Sequence, residues 1–391
     1  MGTLRFLTAG ESHGQALVAI LEGVPAGLEL GGDDIDRDLR RRQQGYGRGA
    51  RMALEKDRIS ILSGVRHGRT IGSPVALQIA NRDWANWTVA MAVERLDVGD
   101  AERKSVTRPR PGHADLAGAL KFGTHDARDV LERASARETT ARVAVGAICR
   151  RLLAEAGIEI RSHTLALGAA AYAPGVQKTW EEIGAAEGTA LRCADGALEQ
   201  QMKAIVDSAK TAGDSIGGAF EVVARGVPPG LGSPRQWDAR LSTRLFAALG
   251  SIPSIRGVVL GAGAEAPGAR GSAYHDEIVY DAAARGFRRL ANHAGGVEGG
   301  MSNGEEIRIQ ALVKPLSTLP RPLRSADLIT KQPFEAQVER TDVTAIAAAG
   351  VVGEAMAAFV LADAFLEKFG GDSVAEMVRN LRGYLDQLRE F

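Results

Sequence analysis

Strand-like and helix-like segments follow one another irregularly along this chain, and that order limits the folds open to it. The opening segment TLRFLTA is typical of a strand, and DDIDRDLRRRQQ (33–44) predicts a helix with carboxylates in its first turn and arginines in its last. A strict alternation of strands and helices would indicate a doubly wound parallel sheet. The mixed order found here favours an α+β fold instead.

The remaining elements are predicted from apolar periodicity and turn residues. Residues 58–81 indicate two strands joined by glycine-rich turns, while 16–30 fits either a strand or a short helix. Further strands are expected at 218–228, 256–263 and 305–315. Helices are expected at 126–157 (one long helix closed by a glycine), 196–212, 239–250 and 341–391. No repeat, low-complexity tract or Pro/Ser-rich linker divides the chain, so a single domain over 1–391 is predicted.

Composition excludes several classes of protein. With 48 basic and 48 acidic residues the net charge is zero, which argues against nucleic-acid or membrane partners held by bulk electrostatics. No uninterrupted apolar run approaches the roughly 18 residues of a membrane span, although 351–365 fits a core helix or a subunit contact. The N-terminal segment has no secretory signal. The two cysteines, Cys149 and Cys193, form neither a disulfide framework nor a zinc pattern, so we expect two buried thiols, no metal site and a cytoplasmic protein.

Arginine is concentrated in two segments, 37–51 and 132–142. Only nine of the 48 basic residues are lysine. High genomic GC content and a solvated helix face would account for such a bias. A local anion site would account for it equally, because guanidinium groups bind phosphate and carboxylate with paired hydrogen bonds.

The segment Gly10–Gly14 reads GESHG and fits the G-x-S-x-G pattern of a serine nucleophile. Such a nucleophile needs a central strand before it and an oxyanion loop earlier in the chain, whereas one short strand precedes Ser12. The later glycine-rich stretches fit no nucleotide motif, since Pro267 follows Gly261 and Gly263 where a helix should begin, and HAGGVEGGMSNG lacks a P-loop lysine.

Motifs along nearly the whole chain resemble the chorismate synthase family. They occur in order from residue 8 to residue 373 and include GESHG, RRRQQGYGRGAR, RPRPGHADL, ERASARETTAR, GGVEGGMSNG, LVKPLST and RTDV. The resemblance implies an α+β fold of the chorismate synthase type, a β-α-β sandwich with helices packed between antiparallel sheets. It also implies a homotetramer.

The family converts 5-enolpyruvylshikimate 3-phosphate (EPSP) to chorismate, the last step of the shikimate pathway. The reaction is an anti-1,4-elimination of phosphate from C3 and hydrogen from C6, and it requires reduced FMN without net redox change. The resemblance leaves open whether the chain reduces its own FMN with NADPH or relies on another reductase.

The resemblance assigns catalytic roles to His13, as an acid toward the leaving phosphate, to His113, which protonates the reduced flavin, and to Asp342, which assists removal of the C6 hydrogen. Substrate contacts fall on Ser12, Arg42, Arg48, Arg110 and Arg137, with Arg42 and Arg48 serving either the substrate or a nicotinamide phosphate. Flavin contacts fall on Arg133, Ala134, Ser135, Pro253, Ser254, Gly299, Lys314, Pro315, Leu316, Ser317, Thr318 and Arg340. Ser12 is then a polar neighbour of His13 and forms no acyl-enzyme.

Overall fold

The computed structural model describes residues 3–48, 56–339 and 341–391. Its helices are α1 Gly32–Gln43, α2 Asp100–Arg103, α3 Asp115–Phe122, α4 Arg128–Ala134, α5 Thr139–Ala154, α6 Trp180–Ala186, α7 Gly196–Ala212, α8 Leu241–Gly250, α9 Gly271–Tyr274, α10 Ile346–Phe369 and α11 Val374–Glu390. Its strands are β1 Arg5–Ala9, β2 Ala16–Glu22, β3 Ile59–Ile61, β4 Val65–Arg66, β5 Arg69–Thr70, β6 Val75–Ala80, β7 Glu159–Leu167, β8 Ala170–Ala171, β9 Gly218–Arg225, β10 Ile255–Leu260, β11 Ile278–Asp281, β12 Gly286–Arg289, β13 Val297–Glu298, β14 Met301–Ser302, β15 Ile307–Val313, β16 Arg324–Ala326 and β17 Pro333–Glu335.

Two antiparallel sheets enclose a layer of helices. One sheet has the strand order β1-β2-β6-β3, and the other has the order β10-β15-β9-β7-β8. Helices α1, α5 and α10 lie between them, with α5 against the first sheet and α10 against the second. In β2 the buried side chains Leu17, Ala19 and Leu21 alternate with more exposed ones, as expected for a strand with one face on a core. The predicted α+β sandwich is confirmed.

Helix α10 is the centre of the hydrophobic core. It is long and apolar enough to cross a membrane by length and composition, but 94% of its most apolar 18-residue window is buried inside the protein. The stretch 351–365 is therefore a core helix rather than a subunit contact. Helix α5 approaches it closely at Gly146, where a Cβ would overlap the Cα and Cβ atoms of Ala355.

Buried charges join the helical layer to its neighbours. The carboxylate of Glu354, on α10, is fully buried and accepts hydrogen bonds from Arg150 at 2.9 Å, Arg192 at 2.9 Å and Ser162 at 2.7 Å. It also pairs with Arg41 of α1 at 2.8 Å. Burial alone would lower the pKa of Arg41, but the nearby carboxylates outweigh it and raise that pKa above its usual value. Part of the first arginine-rich segment is thus structural.

The structure corrects the prediction of one long helix over 126–157. Helix α4 ends at Ala134, and Ser135 adopts an extended backbone with φ −65° and ψ 143°. The Ser135 side chain accepts a hydrogen bond from the backbone N–H of Arg137, which begins a short 3-10 turn before α5. Because the apolar period is the same on both sides of Ser135, periodicity does not reveal this break.

Other predictions are refined. Within 16–30, strand β2 covers Ala16–Glu22 and the rest is irregular, and within 341–391 helices α10 and α11 are separated at Gly370 and Gly371, both of which have positive φ. Strand β7 was not predicted, because three of its buried residues are polar. Cys149 and Cys193 are buried free thiols as expected, and burial raises the pKa of Cys149.

Candidate active site

The GESHG segment forms a turn between two strands. Gly10 has φ +104°, and a Cβ there would overlap the carbonyl oxygen of Ala16, so the close return of the chain requires glycine. Ser12 is buried, and its backbone N–H donates to the carbonyl of Glu132 at 3.0 Å. The hydroxyl of Ser135 donates to that of Ser12 at 3.1 Å. A strand, β2, follows this turn where a nucleophile elbow would begin a helix, so the serine-hydrolase alternative lacks its structural context.

His13 is bound to a buried carboxylate. Its Nδ1 lies 2.8 Å from Oε1 of Glu132, and its backbone N–H donates to Oε2 of the same group at 2.8 Å. Because an ionised carboxylate only accepts, Nδ1 carries the hydrogen, and Nε2 is the nitrogen directed away from Glu132. Burial would raise the pKa of Glu132, but hydrogen bonds and charge from His13 and Arg128 hold it below its usual value. The indole of Trp87 stacks on the imidazole with ring centroids 3.7 Å apart.

His113 has the same kind of support. Its Nδ1 lies 2.5 Å from Oδ1 of Asp115, a fully buried carboxylate that also accepts from the backbone and guanidinium of Arg110. Burial would raise the pKa of Asp115, but hydrogen bonds from His113 and Arg110 lower it well below its usual range. Nδ1–H therefore donates to Asp115, and Nε2 is the nitrogen that remains for proton transfer.

Arg110 connects His113 to residues 314–318, the longest run of predicted flavin contacts (the flavin segment). Its Nη1 donates to the hydroxyl of Thr318 at 2.9 Å. Gly112 lies against the same segment, with Ser317 and Lys314 near the position a Cβ would take. A cavity of about 250 Å³ opens here, and its lining includes Pro111, Gly112, Asp214, Ser215, Lys314, Pro315, Leu316 and Ser317. Burial and the nearby Arg256 lower the pKa of Lys314.

Pro253 and Ser254 lie beside this segment, because the backbone N–H of Lys314 donates to the carbonyl of Ser254 at 2.9 Å. Ser254 has φ +73°, an unusual conformation for a residue with a side chain. The structure therefore joins two of the predicted flavin-binding segments.

Arg42 and Arg137 are both buried around the turn after Ser135. Arg42 donates to Thr139 at 3.0 Å and to the carbonyl of Ala136 at 2.9 Å. Arg137 donates to Asn81 at 2.9 Å and pairs with Asp57 at 2.7 Å. Both guanidinium groups therefore hold this turn in place, and the Ser135 hydroxyl at its start donates to Ser12, the residue before His13.

Arg48 pairs with Asp342 at 3.2 Å. The backbone N–H of Val343 donates to the carbonyl of Gly47, which fixes the two segments side by side. The N–H of Ile216 donates to the carbonyl of Val343, and Ser215 donates to the carbonyl of Leu316 at 2.7 Å. The Arg48–Asp342 pair is therefore connected to the flavin segment. Arg340, another predicted flavin contact, lies outside the described residues.

Two other predicted flavin contacts lie in different places. Arg133, at the end of α4 before Ala134, donates to the carbonyls of Gly10 and Thr8 at 3.2 and 3.0 Å, so it supports the GESHG turn. Gly299 is not brought to these groups: it lies in the turn between β13 and β14, and among the described residues this hairpin packs against Gly232 and Arg240.

The motifs did not single out three residues that contact the histidines: Glu132, Asp115 and Trp87. Asp115 lies two residues after His113 and could have been recognised as a local partner. Glu132 lies 119 residues from His13, and no spacing rule predicts that contact. Trp87 gives no signal in the sequence.

A β-α-β sandwich that contains two carboxylate-bound histidines and several buried arginines has the groups of an acid–base enzyme. The comparisons with known proteins define it further. The family model for chorismate synthase matches residues 4–366. A chorismate synthase of Solibacter usitatus is 54% identical over 391 residues, covering 99% of this chain and 100% of that protein, and one of Thermobifida fusca is 54% identical over 392 residues, covering 98% and 99%.

A crystal structure of chorismate synthase superimposes with a TM-score of 0.79 at 40% identity, covering 99% of both chains. This chain belongs to the chorismate synthase family. It is a lyase, and it acts on a small-molecule substrate in the last step of the shikimate pathway.

Proposed function

We propose that this chain converts EPSP to chorismate by an anti-1,4-elimination of the C3 phosphate and the C6 hydrogen, with reduced FMN as cofactor. The observation that carries the proposal is the paired arrangement of His13 and His113. Each imidazole donates through Nδ1 to a buried carboxylate that an arginine also binds. Each is thereby held with Nε2 as the nitrogen for acid–base work.

The proposed substrate and cofactor together carry about six negative charges, and two unpaired charges about 4 Å apart repel by about 4 kcal/mol at an effective dielectric near 20. Arginines offset this repulsion. Arg42, Arg110 and Arg137 are buried and hydrogen-bonded, so their positions are fixed before any ligand binds. Preorganised cations of this kind favour a phosphate or carboxylate without the cost of ordering a flexible side chain.

The residues beside the Lys314 cavity fit an FMN phosphate. Lys314 supplies a partly buried cation, Ser317 and Thr318 supply hydroxyls, and Gly112 lines the same cavity. Reduced flavin, when bound, supplies electron density for the departure of phosphate and recovers it afterwards. The protein positions that group and excludes oxygen and water.

The acid–base roles follow from the two tautomers. His13 holds a proton at Nε2 for the departing phosphate, because a protonated phosphate leaves more easily than a fully ionised one. His113 holds a proton at Nε2 near the flavin segment, to which Arg110 connects it. Asp342 supplies a carboxylate for removal of the C6 hydrogen, and its ion pair with Arg48 at 3.2 Å holds that carboxylate in position.

The test is an anaerobic assay with EPSP and dithionite-reduced FMN, followed by chorismate absorbance. His13→Ala and His113→Ala should each lower turnover by roughly 10² to 10⁴ while FMN still binds, as loss of a positioned proton donor requires. The exposed His275 is the control, since His275→Ala should retain full turnover. Turnover near that of the unmodified chain in either active-site variant would remove that histidine from the mechanism.

Three further measurements separate the alternatives. A serine hydrolase would be labelled at Ser12 by a fluorophosphonate, whereas we expect no labelling. A family member that had lost turnover would bind FMN without forming chorismate, and the intact His13, His113 and Asp342 argue against it. Replacing dithionite by NADPH distinguishes a chain that reduces its own flavin from one that needs a separate reductase.

We also propose that residues 1–391 form one domain, that the protein is a cytoplasmic homotetramer, and that it needs no nucleic acid or membrane. One cooperative unfolding transition and a tetramer mass by light scattering are expected. A monomer at micromolar concentration would refute the assembly and leave the catalytic assignment intact.

A further inference from the structure

A closed set of contacts surrounds His13. Its Nδ1 binds Glu132 at 2.8 Å, and Glu132 binds Nη1 of Arg128 at 2.9 Å. The Nε of Arg128 donates to the backbone carbonyl of Lys104 at 2.6 Å. The Lys104 ammonium lies 3.7 Å from the centroid of Trp87, whose ring stacks on His13. The contacts therefore fix both the edge and one face of the imidazole.

Two of these contacts restrict different motions of the ring. The hydrogen bond to Glu132 prevents rotation about χ2 and selects the tautomer with hydrogen on Nδ1, because the carboxylate is an acceptor. The stack with Trp87, at an interplanar angle of 21°, prevents the ring from tilting. Trp87 is itself fixed by its Nε1–H, which donates to Asp83 at 2.9 Å.

We propose that Glu132 and Trp87 are positioning residues for His13: the carboxylate sets its tautomer and holds the edge of the ring, and the indole holds the plane of the ring. This inference rests on the proposed function, in which His13 is the acid. Neither residue needs to touch the substrate. Their effect is exerted through the imidazole and should fall on kcat rather than on KM.

The first test is Glu132→Gln, which keeps the shape of the side chain and removes its charge. One of the two His13 donors, the backbone N–H or Nδ1–H, then faces an amide NH₂. We expect kcat to fall at least about tenfold, but by less than in His13→Ala, with KM for EPSP changed less than about threefold. Glu132→Asp, which keeps the charge, should recover part of the loss.

The second readout is optical and needs no substrate. An imidazolium stacked on an indole quenches its fluorescence, so the emission of Trp87 should rise as His13 loses its proton. Subtracting the same titration of Trp87→Phe removes the contribution of the other tryptophans. Charged groups that contact the pair within the described part of the chain include Glu132, Arg128, Lys104 and Asp83. Because Glu132→Gln removes the negative charge next to the imidazole, the midpoint of the transition should move to lower pH.

The chain offers a matched control in His163. Its Nε2 lies 3.1 Å from Oε2 of Glu221, which also binds Arg308 at 3.1 Å, and all three side chains are buried in the five-stranded sheet. Glu221→Gln therefore makes the same chemical change in another Arg–Glu–His group. It should reduce stability but leave kcat per folded molecule and the Trp87 midpoint unchanged.

The outcomes are distinguishable. If the unmodified chain forms no chorismate, the proposed function fails, while the fluorescence titration still tests the contact between Glu132 and His13. If chorismate forms and Glu132→Gln changes neither kcat nor the midpoint, the positioning role of Glu132 is refuted. Should Glu132→Gln not fold, Trp87→Leu tests the other contact: a turnover equal to that of Trp87→Phe would refute the role of the stacked ring.

Discussion

The buried carboxylate Glu354 should be among the most important single groups for stability. Glu354→Gln keeps the size of the side chain but removes the charge that Arg41, Arg150 and Arg192 share. An amide NH₂ then points at guanidinium donors, so one hydrogen-bonding site is lost as well as the charge. Removing one partner of a buried ion pair lowers the free energy of unfolding by about 3–5 kcal/mol.

The structure places the expected loss toward the lower end of that range. Each guanidinium keeps another carboxylate: Arg41 and Arg192 bind Glu187 at 2.6 and 2.8 Å, and Arg150 binds Asp38 at 3.0 Å. No cation is left buried without a counter-charge. We therefore expect Glu354→Gln to lower the free energy of unfolding by about 3 kcal/mol.

The assay is urea unfolding followed by circular dichroism, at one fixed protein concentration because subunit association contributes to stability. Glu367→Gln is the control. It removes a carboxylate of the same helix that pairs with Arg244 at 2.9 Å but is 46% exposed, and such pairs are worth at most about 1 kcal/mol. Equal losses in the two variants would refute the reasoning, because the buried group would then contribute no more than an exposed ion pair.

Three other outcomes are expected. Gly146→Ala should destabilise the protein by about 1–3 kcal/mol because α5 cannot move away from α10, and adding Ala355→Gly should recover part of that loss; urea unfolding of both variants checks this. Folding lowers the pKa of Asp115 and of Glu187 below their ordinary values of 3.8 and 4.5, so their contribution to stability is present above about pH 4.5 and is lost as the pH falls further. Melting curves at a series of pH values would show this loss, and Glu187→Gln should make the pH dependence weaker. Arg48→Lys should raise KM for EPSP well beyond its effect on stability, because a lysine cannot reproduce paired hydrogen bonds; an unchanged KM would make Arg48 a structural residue only.

The sequence predicts elements whose pattern depends on local burial. Strand β15 and helix α1 were expected near their observed positions, because apolar alternation and end charges directly reflect which face is buried. The break at Ser135 was not expected, since the apolar period continues across it and the Ser135 side chain interrupts the helix by accepting from the backbone N–H of Arg137. Strand β7 was not predicted for a related reason: Ser162 is polar and yet buried, because Glu354 of another element accepts its hydrogen bond.

The same distinction applies to the candidate site. The resemblance assigns His13 and His113 from motifs, and the structure brings His113 to the flavin segment through Arg110. The resemblance does not assign the carboxylates that bind these two histidines. A carboxylate such as Glu132 looks in sequence like any acidic residue on a helix. Only the packing of α4 against the GESHG turn places it beside His13.

The central position of α10 has a consequence for the synthesis of the chain. This helix packs on α1, α5, β7 and β9, all of which leave the ribosome earlier. About 190 residues separate the end of α5 from the start of α10, and at about 5–20 residues per second their synthesis takes roughly 10 to 40 s. During that time the apolar surfaces that enclose α10 have no partner. A nascent chain stalled before residue 346 should therefore bind chaperones or aggregate, whereas the emergence of α10 completes the core in one step.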